Sequence, residues 1–585
     1  MPRLILPTLA LESKTPLAGR FSFAPLFVVM GAIAFLGGWL APNHYLPWVS
    51  FHAEAASFAA LLAFCAACLA DKKNLLLDRA PLVFGALITV VWLQWAGGQI
   101  AYHGDATVSS LYLAGLAFAW WLGTNSAGST DEAHKTLIWV AALLVLAAVV
   151  SLFIALLQWQ GMEARLGTLA VDRVPNGRPF GNLGQPNHFA TLMLMAIVMS
   201  SALYVLRSIK TWQWVTLVAF LSFGLVMAES RAGWVSALVL GLFFLWRGKR
   251  EWGLGNWRTI AAWWGGLMLL SLSWKPLNEA LLLQATRAGP SLAQDSARFT
   301  IWSQMLAAIQ QAPWLGYGWR QTVVAQKAGA NVVQGTLPTD YAHSVILDVL
   351  LWLGIPLGML VLMLVGWWFL KAARKIEGPT QFLLLAGTLP VAVHSLVEFP
   401  FVYAYFLFPV GWMLGALSRL QSGGQQRGWT IKSPRARGGA ALCVMLVTGM
   451  CAWVALEYFQ AEEDHRVMRF EMRRVGKVPA GYEAPPLVLL NQLGELLRLA
   501  RLEPYPGMPA QDLERMRVAN ASFEWATLQL RYAIALGLNG RPEEASLQLR
   551  SLRALYGERS YQQALGMFLD FQNGKYPQLQ AVKLP

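Results

Sequence analysis

Charge is what this 585-residue sequence lacks most: only 13% of its residues are Asp, Glu, Lys or Arg, against 56% hydrophobic ones. A soluble globular chain carries about a quarter charged residues, so the deficit excludes an ordinary water-soluble domain. Cysteine is scarce as well. Cys65, Cys68, Cys443 and Cys451 all fall inside apolar runs, which excludes a disulfide framework and makes the Cys65/Cys68 pair a packing feature rather than a metal or redox site. Acidic residues are outnumbered, 32 against 46 Lys and Arg, for a formal charge of +14. No basic stripe with interleaved aromatics goes with that excess, so nucleic acid is not expected as a partner. No cage of Asp or His is present either, and neither a metal nor a cofactor is expected.

What the sequence has is a series of about 13 apolar runs, from Pro25–Leu40 to Ala440–Leu456, each close to the length a membrane-crossing helix needs. Trp and Phe are abundant, at 27 and 28, and such rings collect where lipid meets water. The basic residues alternate between connections. Arg3, Lys14 and Arg20 precede the first run, Lys72, Lys73 and Arg79 follow the second, and Arg247, Lys249 and Arg250 follow the eighth. The segments Ala41–Ala53 and Gln99–Ala106 have almost no Lys or Arg. Positive connections stay in the cytoplasm, so residues 1–24 are expected there, and an odd number of spans places the C-terminal region outside. The fold class expected is all-α: a polytopic membrane protein, residues 25–457, with a long helical outer loop at 273–343, followed by an outer helical domain at 458–585. Within that last domain, Ala521–Tyr556 reads as two amphipathic helices joined by Asn539-Gly540-Arg541-Pro542, similar to one tetratricopeptide-like hairpin.

Polar residues at span ends are the candidates for chemistry. Arg165, Arg173, Arg178, Arg287, Arg298 and Arg320 lie on the outer side against the topological bias; an anionic ligand would give them a reason to be there, as would long loops that escape the charge rule. The stretch Pro42–Glu54 offers His44, His52 and Glu54, as loop residues or as ligands. Phe180–His188 packs two glycines, Gln185, Pro186 and Asn187 into one polar turn before the sixth run. Arg231 sits between two apolar runs and needs a partner, either Glu229 or a pyrophosphate that a guanidinium binds bidentately. His343 closes the long loop, where an imidazole can take a proton from a hydroxyl near neutral pH; Asp348 follows within the next span. Glu398 lies between the eleventh and twelfth runs, with Pro400 and Tyr403 after it.

Taken in order, "NHYLPWVSFHAE", "GNLGQPNHFATL", "SRAGW", "ARFTIW" with "PWLGYGW", "YAHSVILDVLLWLGIPLG" and "HSLVEFPFVYAYF" resemble the bacterial protein O-oligosaccharyltransferases, or pilin glycosylases, of the O-antigen ligase superfamily. The resemblance spans nearly the whole membrane region. It implies a multi-pass glycosyltransferase of the bacterial inner membrane with its site facing the periplasm. The donor would be an oligosaccharide on undecaprenyl pyrophosphate, and the acceptor a Ser or Thr hydroxyl of a periplasmic, pilin-like protein. Carried over, His343 would be the catalytic base or the group that positions the acceptor, and Arg231 and Arg298 the pyrophosphate ligands, with Gln185, Asn187, Glu398 and Tyr403 completing the substrate site. Ser344 departs from the pattern, since many relatives carry Asn after the histidine. Direct displacement would invert the anomeric carbon. The competing expectations are an O-antigen ligase or polymerase, and a transporter, which the absence of paired internal repeats speaks against.

Overall fold

The computed structural model describes residues 23–71, 74–172, 177–283, 292–423, 428–473 and 482–585. The expectations for Arg3, Lys14, Arg20, Lys72, Lys73, Arg173, Arg287 and the N-terminal 1–22 lie outside the described residues. Those residues form a helical protein. Along the chain run α1 (Ala24–Leu40), α2 (Phe51–Asp71), α3 (Ala80–Ala96), α4 (His103–Ser126), α5 (Thr130–Gln160), α6 (Pro186–Val205), α7 (Thr211–Met227), α8 (Arg231–Arg247) and α9 (Trp257–Ala280). Then follow α10 (Leu292–Gln311), α11 (Thr322–Ala330), α12 (Val345–Arg374), α13 (Pro379–His394), α14 (Ala404–Gln421) and α15 (Pro434–Arg473). The tail holds α16 (Asn491–Arg501), α17 (Ala510–Ser522), α18 (Ala526–Leu538) and α19 (Pro542–Asn573).

Six of these helices are long and apolar enough, by length and composition, to cross a membrane, and α1, α3 and α7 are shorter apolar helices. The flank of the bundle is apolar, with Ile33, Leu93, Phe153, Leu242, Leu269, Met363 and Leu446 exposed. Water would not tolerate so continuous an apolar surface, whereas lipid solvates it. Between helices in lipid the hydrophobic effect contributes little, so close approach must hold them. The pair α4 and α14 shows this. A Cβ added at Gly123 would lie 2.1 Å from the Trp412 carbonyl, and one at Gly415 would lie 2.1 Å from the Trp120 carbonyl. The backbones touch because glycine leaves the room.

The helix α6 is buried on every side from Asn187 to Leu203, as its all-round apolar sequence requires, and it packs against α5, α7, α8 and α13. Its N-terminal end therefore opens into the middle of one end of the bundle. That fixes where the site lies.

Three features differ from the expectation. The structure is not purely α-helical: β1 (Leu75–Asp78) pairs antiparallel with β2 (Gly428–Ile431), and the Asn125 amide covers the free edge of β1 by hydrogen-bonding both the Leu76 N–H and the Leu76 carbonyl. The connection before His343 is shorter than a loop opening at 273, because α9 continues to Ala280, over Lys275 and Glu279, which pair at i,i+4. And α12 is broken at Gly354 (φ +74°, ψ 171°), two residues before Pro356; the Ile355 N–H there turns to the Pro313 carbonyl at 2.7 Å.

Past the bundle, α15 runs 40 residues without a break. The two helices α18 and α19 form the hairpin expected around Gly540 (φ +75°) and Pro542. Their core of Leu530, Ile534, Leu549, Leu552 and Phe568 also covers Ala330 of α11. The tail docks at the same end of the bundle as the N-terminus of α6: Asn491 accepts the Gly104 N–H at 2.9 Å, and Gly335 donates to the Ala554 carbonyl at 2.7 Å.

Candidate active site

The turn before α6 is built first. Gly181 and Gly184 adopt φ of +63° and +71°, where a side chain is strained, and a Cβ at Gly184 would press to 3.3 Å from the His44 ring. Two buried amides hold the turn. Gln158, from α5, accepts the Phe180 and Gly181 N–H groups at 3.0 and 2.9 Å and donates to the Gly181 carbonyl at 2.6 Å. Asn182 donates to the carbonyls of Leu40 and Leu169, each at 2.8 Å. Pro186 then opens the helix at its first position, where a missing N–H costs nothing. Gln185 is the N-cap, with its Oε1 buried and lacking a hydrogen-bond partner among the described residues.

At the second residue of the helix, the Asn187 amide bridges two chain segments. It donates to Glu398 Oε1 at 3.2 Å and accepts the Ser230 hydroxyl at 2.8 Å. Ser230 in turn caps α8 by accepting the Gly233 N–H, and Arg231 is the first residue of that helix, its side chain exposed. The carboxylate of Glu229, the alternative partner weighed for Arg231, accepts the Trp274 indole N–H at 3.0 Å.

His343 arrives from the other side. Its backbone has φ +52°, a conformation that costs a side-chain-bearing residue about 1–2 kcal/mol. The neighbouring carboxylate of Asp348 over-determines it, accepting the Ala342 N–H at 3.0 Å and the Thr322 hydroxyl at 2.9 Å, while the Trp302 indole donates to the Ala342 carbonyl. Held in this way, the imidazole places Nδ1 2.6 Å from Glu398 Oε2. The other oxygen of the same carboxylate forms an ion pair with Arg298, from α10. Glu398 is buried while His343 and Arg298 keep 19% and 36% of their side-chain surface, so the carboxylate is the floor and its two partners are the face.

Burial alone would raise the Glu398 pKa; the hydrogen bond and charge of His343, with the charges of Arg298 and His394, hold it below the usual carboxylate range. An ionised Glu398 accepts a proton-bearing Nδ1, which leaves Nε2 of His343 as a lone-pair acceptor. The surface thus offers one imidazole base with a guanidinium beside it, and Arg231 follows Ser230, which is linked to Glu398 through Asn187.

The predicted residues are therefore brought together unequally. His343, Glu398, Arg298 and Asn187 form one connected group; Arg231 joins it through Ser230; Gln185 stands two residues before Asn187. Tyr403 reaches His343 through Phe399, whose ring lies 4.8 Å from the imidazole and 6.2 Å from Tyr403. Tyr405 is a different case: it is buried, its hydroxyl 3.2 Å from His188 Nδ1. The Pro42–Glu54 group does not converge. His44 hydrogen-bonds the Asn182 carbonyl at 2.7 Å, His52 lies 3.8 Å from Glu462, and Glu54 accepts the Ala404 N–H at 2.7 Å. Of the outer arginines, Arg178 is spent on the carbonyls of Ala228 and Glu229, and Arg165 is exposed. Sequence reasoning did not single out Gln158, Asn182 or Ser230; each has a partner far along the chain, Gly181 for Gln158, Leu40 for Asn182 and Asn187 for Ser230, and no local spacing marks it.

Comparison with known proteins bears on the same residues. A protein glycosylation ligase profile matches residues 179–204, and an O-antigen ligase profile matches residues 216–363. A third, described as the C-terminal part of a virulence factor membrane-bound polymerase, matches 382–566. The first holds Gln185 and Asn187, the second Arg231, Arg298 and His343, the third Glu398 and Tyr403. A general O-oligosaccharyltransferase of Acinetobacter baylyi is 27% identical over 555 residues, 91% of this chain and 92% of its own length. A ComP-specific O-oligosaccharyltransferase of the same organism is 28% identical over 401 residues, 67% of this chain and 71% of its own. The chain is thus similar to the O-antigen ligase superfamily and, within it, to the protein O-oligosaccharyltransferases.

Proposed function

We propose that this protein transfers an oligosaccharide en bloc from undecaprenyl pyrophosphate to a Ser or Thr hydroxyl of a periplasmic, pilin-like protein. The observation that carries the reading is the shared carboxylate: Glu398 holds His343 with one oxygen and Arg298 with the other, side by side at one end of a bundle of apolar helices.

In the proposed reaction the acceptor hydroxyl gives its proton to His343 Nε2 as its oxygen attacks the anomeric carbon. The bond from that carbon to the pyrophosphate oxygen breaks, and the electron pair leaves with the lipid pyrophosphate. Charge grows on the leaving group, where Arg298 and Arg231 meet it with donors already in place. Asn187 keeps Glu398 and the start of α8 in register, and Gln185 offers its orphaned carbonyl to a sugar hydroxyl. Attack from the face opposite the leaving group inverts the anomeric configuration. Two guanidinium groups supply the cationic charge, so activity is expected to survive a chelator; inhibition by EDTA that added metal reverses would overturn that part.

The same reading puts about 13 spans in the bacterial inner membrane, with the site and the tail in the periplasm. The membrane domain then covers 25–457 and the outer domain 458–585, with α18 and α19 as its tetratricopeptide-like hairpin. The alternation of basic connections supports that orientation.

The test is expression in cells that make one undecaprenyl-pyrophosphate oligosaccharide and a pilin-like acceptor, followed by mass spectrometry of periplasmic glycopeptides. Glycan on Ser or Thr is expected, and it should vanish with His343→Ala while the protein stays in the membrane. Transfer solely to lipopolysaccharide would overturn the assignment of the acceptor.

A further inference from the structure

Beside the base and the two arginines lies a group of side chains that the reaction above does not use. Phe399 follows Glu398 in the chain, and its ring meets the His343 imidazole edge-on at 4.8 Å. On one side it lies nearly parallel to Tyr341, at 5.2 Å and 23°, and on the other to Tyr403, at 6.2 Å and 24°. All three rings are half-buried. They form a row whose middle ring meets the proposed base and which keeps part of its surface open.

The Tyr341 end of the row is polar. The charge of Arg320 acts on the Tyr341 hydroxyl, and the Arg320 guanidinium sits within the field of Asp105, Tyr112 and Asp340. Burial works against the charge on Arg320, yet these neighbours hold its pKa above the ordinary value. Its backbone is left-handed, with φ +60°, a strained conformation in the turn after Gly318. Arg320, Asp105 and Tyr112 are half-buried rather than sealed in.

A row of rings that ends in a guanidinium and carboxylates has the mixed chemistry of a pyranose. One face of the sugar carries C–H groups that lie against aromatic rings, and its rim carries hydroxyls that need both donors and acceptors. Guanidinium donates and carboxylate accepts. Purely apolar ligands would leave Arg320 and Asp105 unused, and a phosphate would be repelled by Asp105 and Asp340.

We propose that Tyr341, Phe399 and Tyr403, with Arg320 and Asp105 at the Tyr341 end, form the subsite for the first saccharide residues of the donor. The inference rests on glycosyl transfer being the reaction. A sugar laid on Phe399 has its anomeric carbon next to the imidazole, and the glycan extends along Tyr341 toward Arg320, away from the arginines that face the pyrophosphate.

Equilibrium binding to the purified full-length chain tests this without turnover. The two ligands are undecaprenyl pyrophosphate carrying an oligosaccharide, and bare undecaprenyl pyrophosphate. Phe399→Leu and Tyr341→Leu are expected to weaken the glycosylated lipid about tenfold and leave the bare lipid within twofold. Phe399→Tyr and Tyr341→Phe, which restore a ring, should recover the affinity for the glycosylated lipid. Equal affinities in wild type and leucine variants overturn the subsite. So does a parallel loss of both ligands, which would make the rings part of the scaffold. A wild-type chain that binds the glycosylated lipid but moves its glycan to no protein overturns the reaction instead, so the two failures are told apart.

Discussion

Replacing Glu398 by glutamine removes one negative charge and little volume. In the folded protein that charge faces Nδ1 of His343 at 2.6 Å and the Arg298 guanidinium on its other oxygen. During transfer the imidazole becomes a cation, and a carboxylate at about 4 Å between charge centres is worth roughly 4 kcal/mol at an effective dielectric near 20. The glutamine carbonyl still accepts the Nδ1 proton and recovers part of this, leaving a loss of roughly 2–3 kcal/mol in the transition state. That corresponds to a fall in kcat of about 30- to 150-fold. The donor KM should not rise, because Arg298 no longer divides its charge between Glu398 and the pyrophosphate. The assay is glycan transfer from synthetic undecaprenyl-pyrophosphate donor to a purified acceptor, with kcat and KM separated. A double variant, Glu398→Gln with His343→Ala, should be no slower than His343→Ala alone, since the carboxylate acts through the imidazole. Two results would refute the reasoning: full activity in Glu398→Gln, or losses that multiply in the double variant.

Arg298→Lys keeps the charge but not the planar fork, so the donor KM is expected to rise about tenfold or more; an unchanged KM would mean that only the net charge matters. Gly184→Ala places a side chain at φ +71° and 3.3 Å from His44, and should cost about 1–2 kcal/mol, seen as a lower Tm. Lys327, on α11, is half-buried where its amine donates to the carbonyls of Asn520 and Phe523 in the tail; loss of solvent pushes its pKa down to about 7 against the opposing charge of Glu524. An undocked lysine holds its proton to about pH 10.4, so between pH 7 and 10 the unfolded state carries more protons and stability rises with pH, by at most about 1.4 kcal/mol per unit. Glu524, raised by burial to about 7, is mostly ionised above that and adds little slope. A Tm that climbs from pH 7.5 to 9.5 in wild type and stays flatter in Lys327→Met is expected; equal slopes in the two would remove Lys327 from the interface.

How much of this could be read from the sequence follows from what kind of force writes each feature. Lipid imposes apolar runs of a set length, so the helices and the polar residues at their ends stand out one by one: His343, Arg231, Gln185 and Glu398 are visible as span-end residues, and Arg298 as a positive charge on the outer side. What joins them is not. The link from Arg231 to His343 runs through Ser230, Asn187 and Glu398, residues 43, 211 and 55 positions apart, and it exists only because α6 is enclosed by α8 and α13. Each amide in that chain looks like an ordinary loop residue until its partner is known. The break at Gly354 shows the same limit. The Gly354-Ile355-Pro356 stretch reads as apolar helix, and its opening is dictated by the backbone of Pro313–Leu315 packed against it, where a Cβ on Gly354 would come within 2.3 Å of the Trp314 carbonyl. That contact ties the end of α10 to α12, and α10 carries Arg298 while α12 begins one residue after Ser344. The distance between the guanidinium and the imidazole is therefore set in part by a glycine 11 positions beyond His343, in a segment whose sequence advertises only its hydrophobicity.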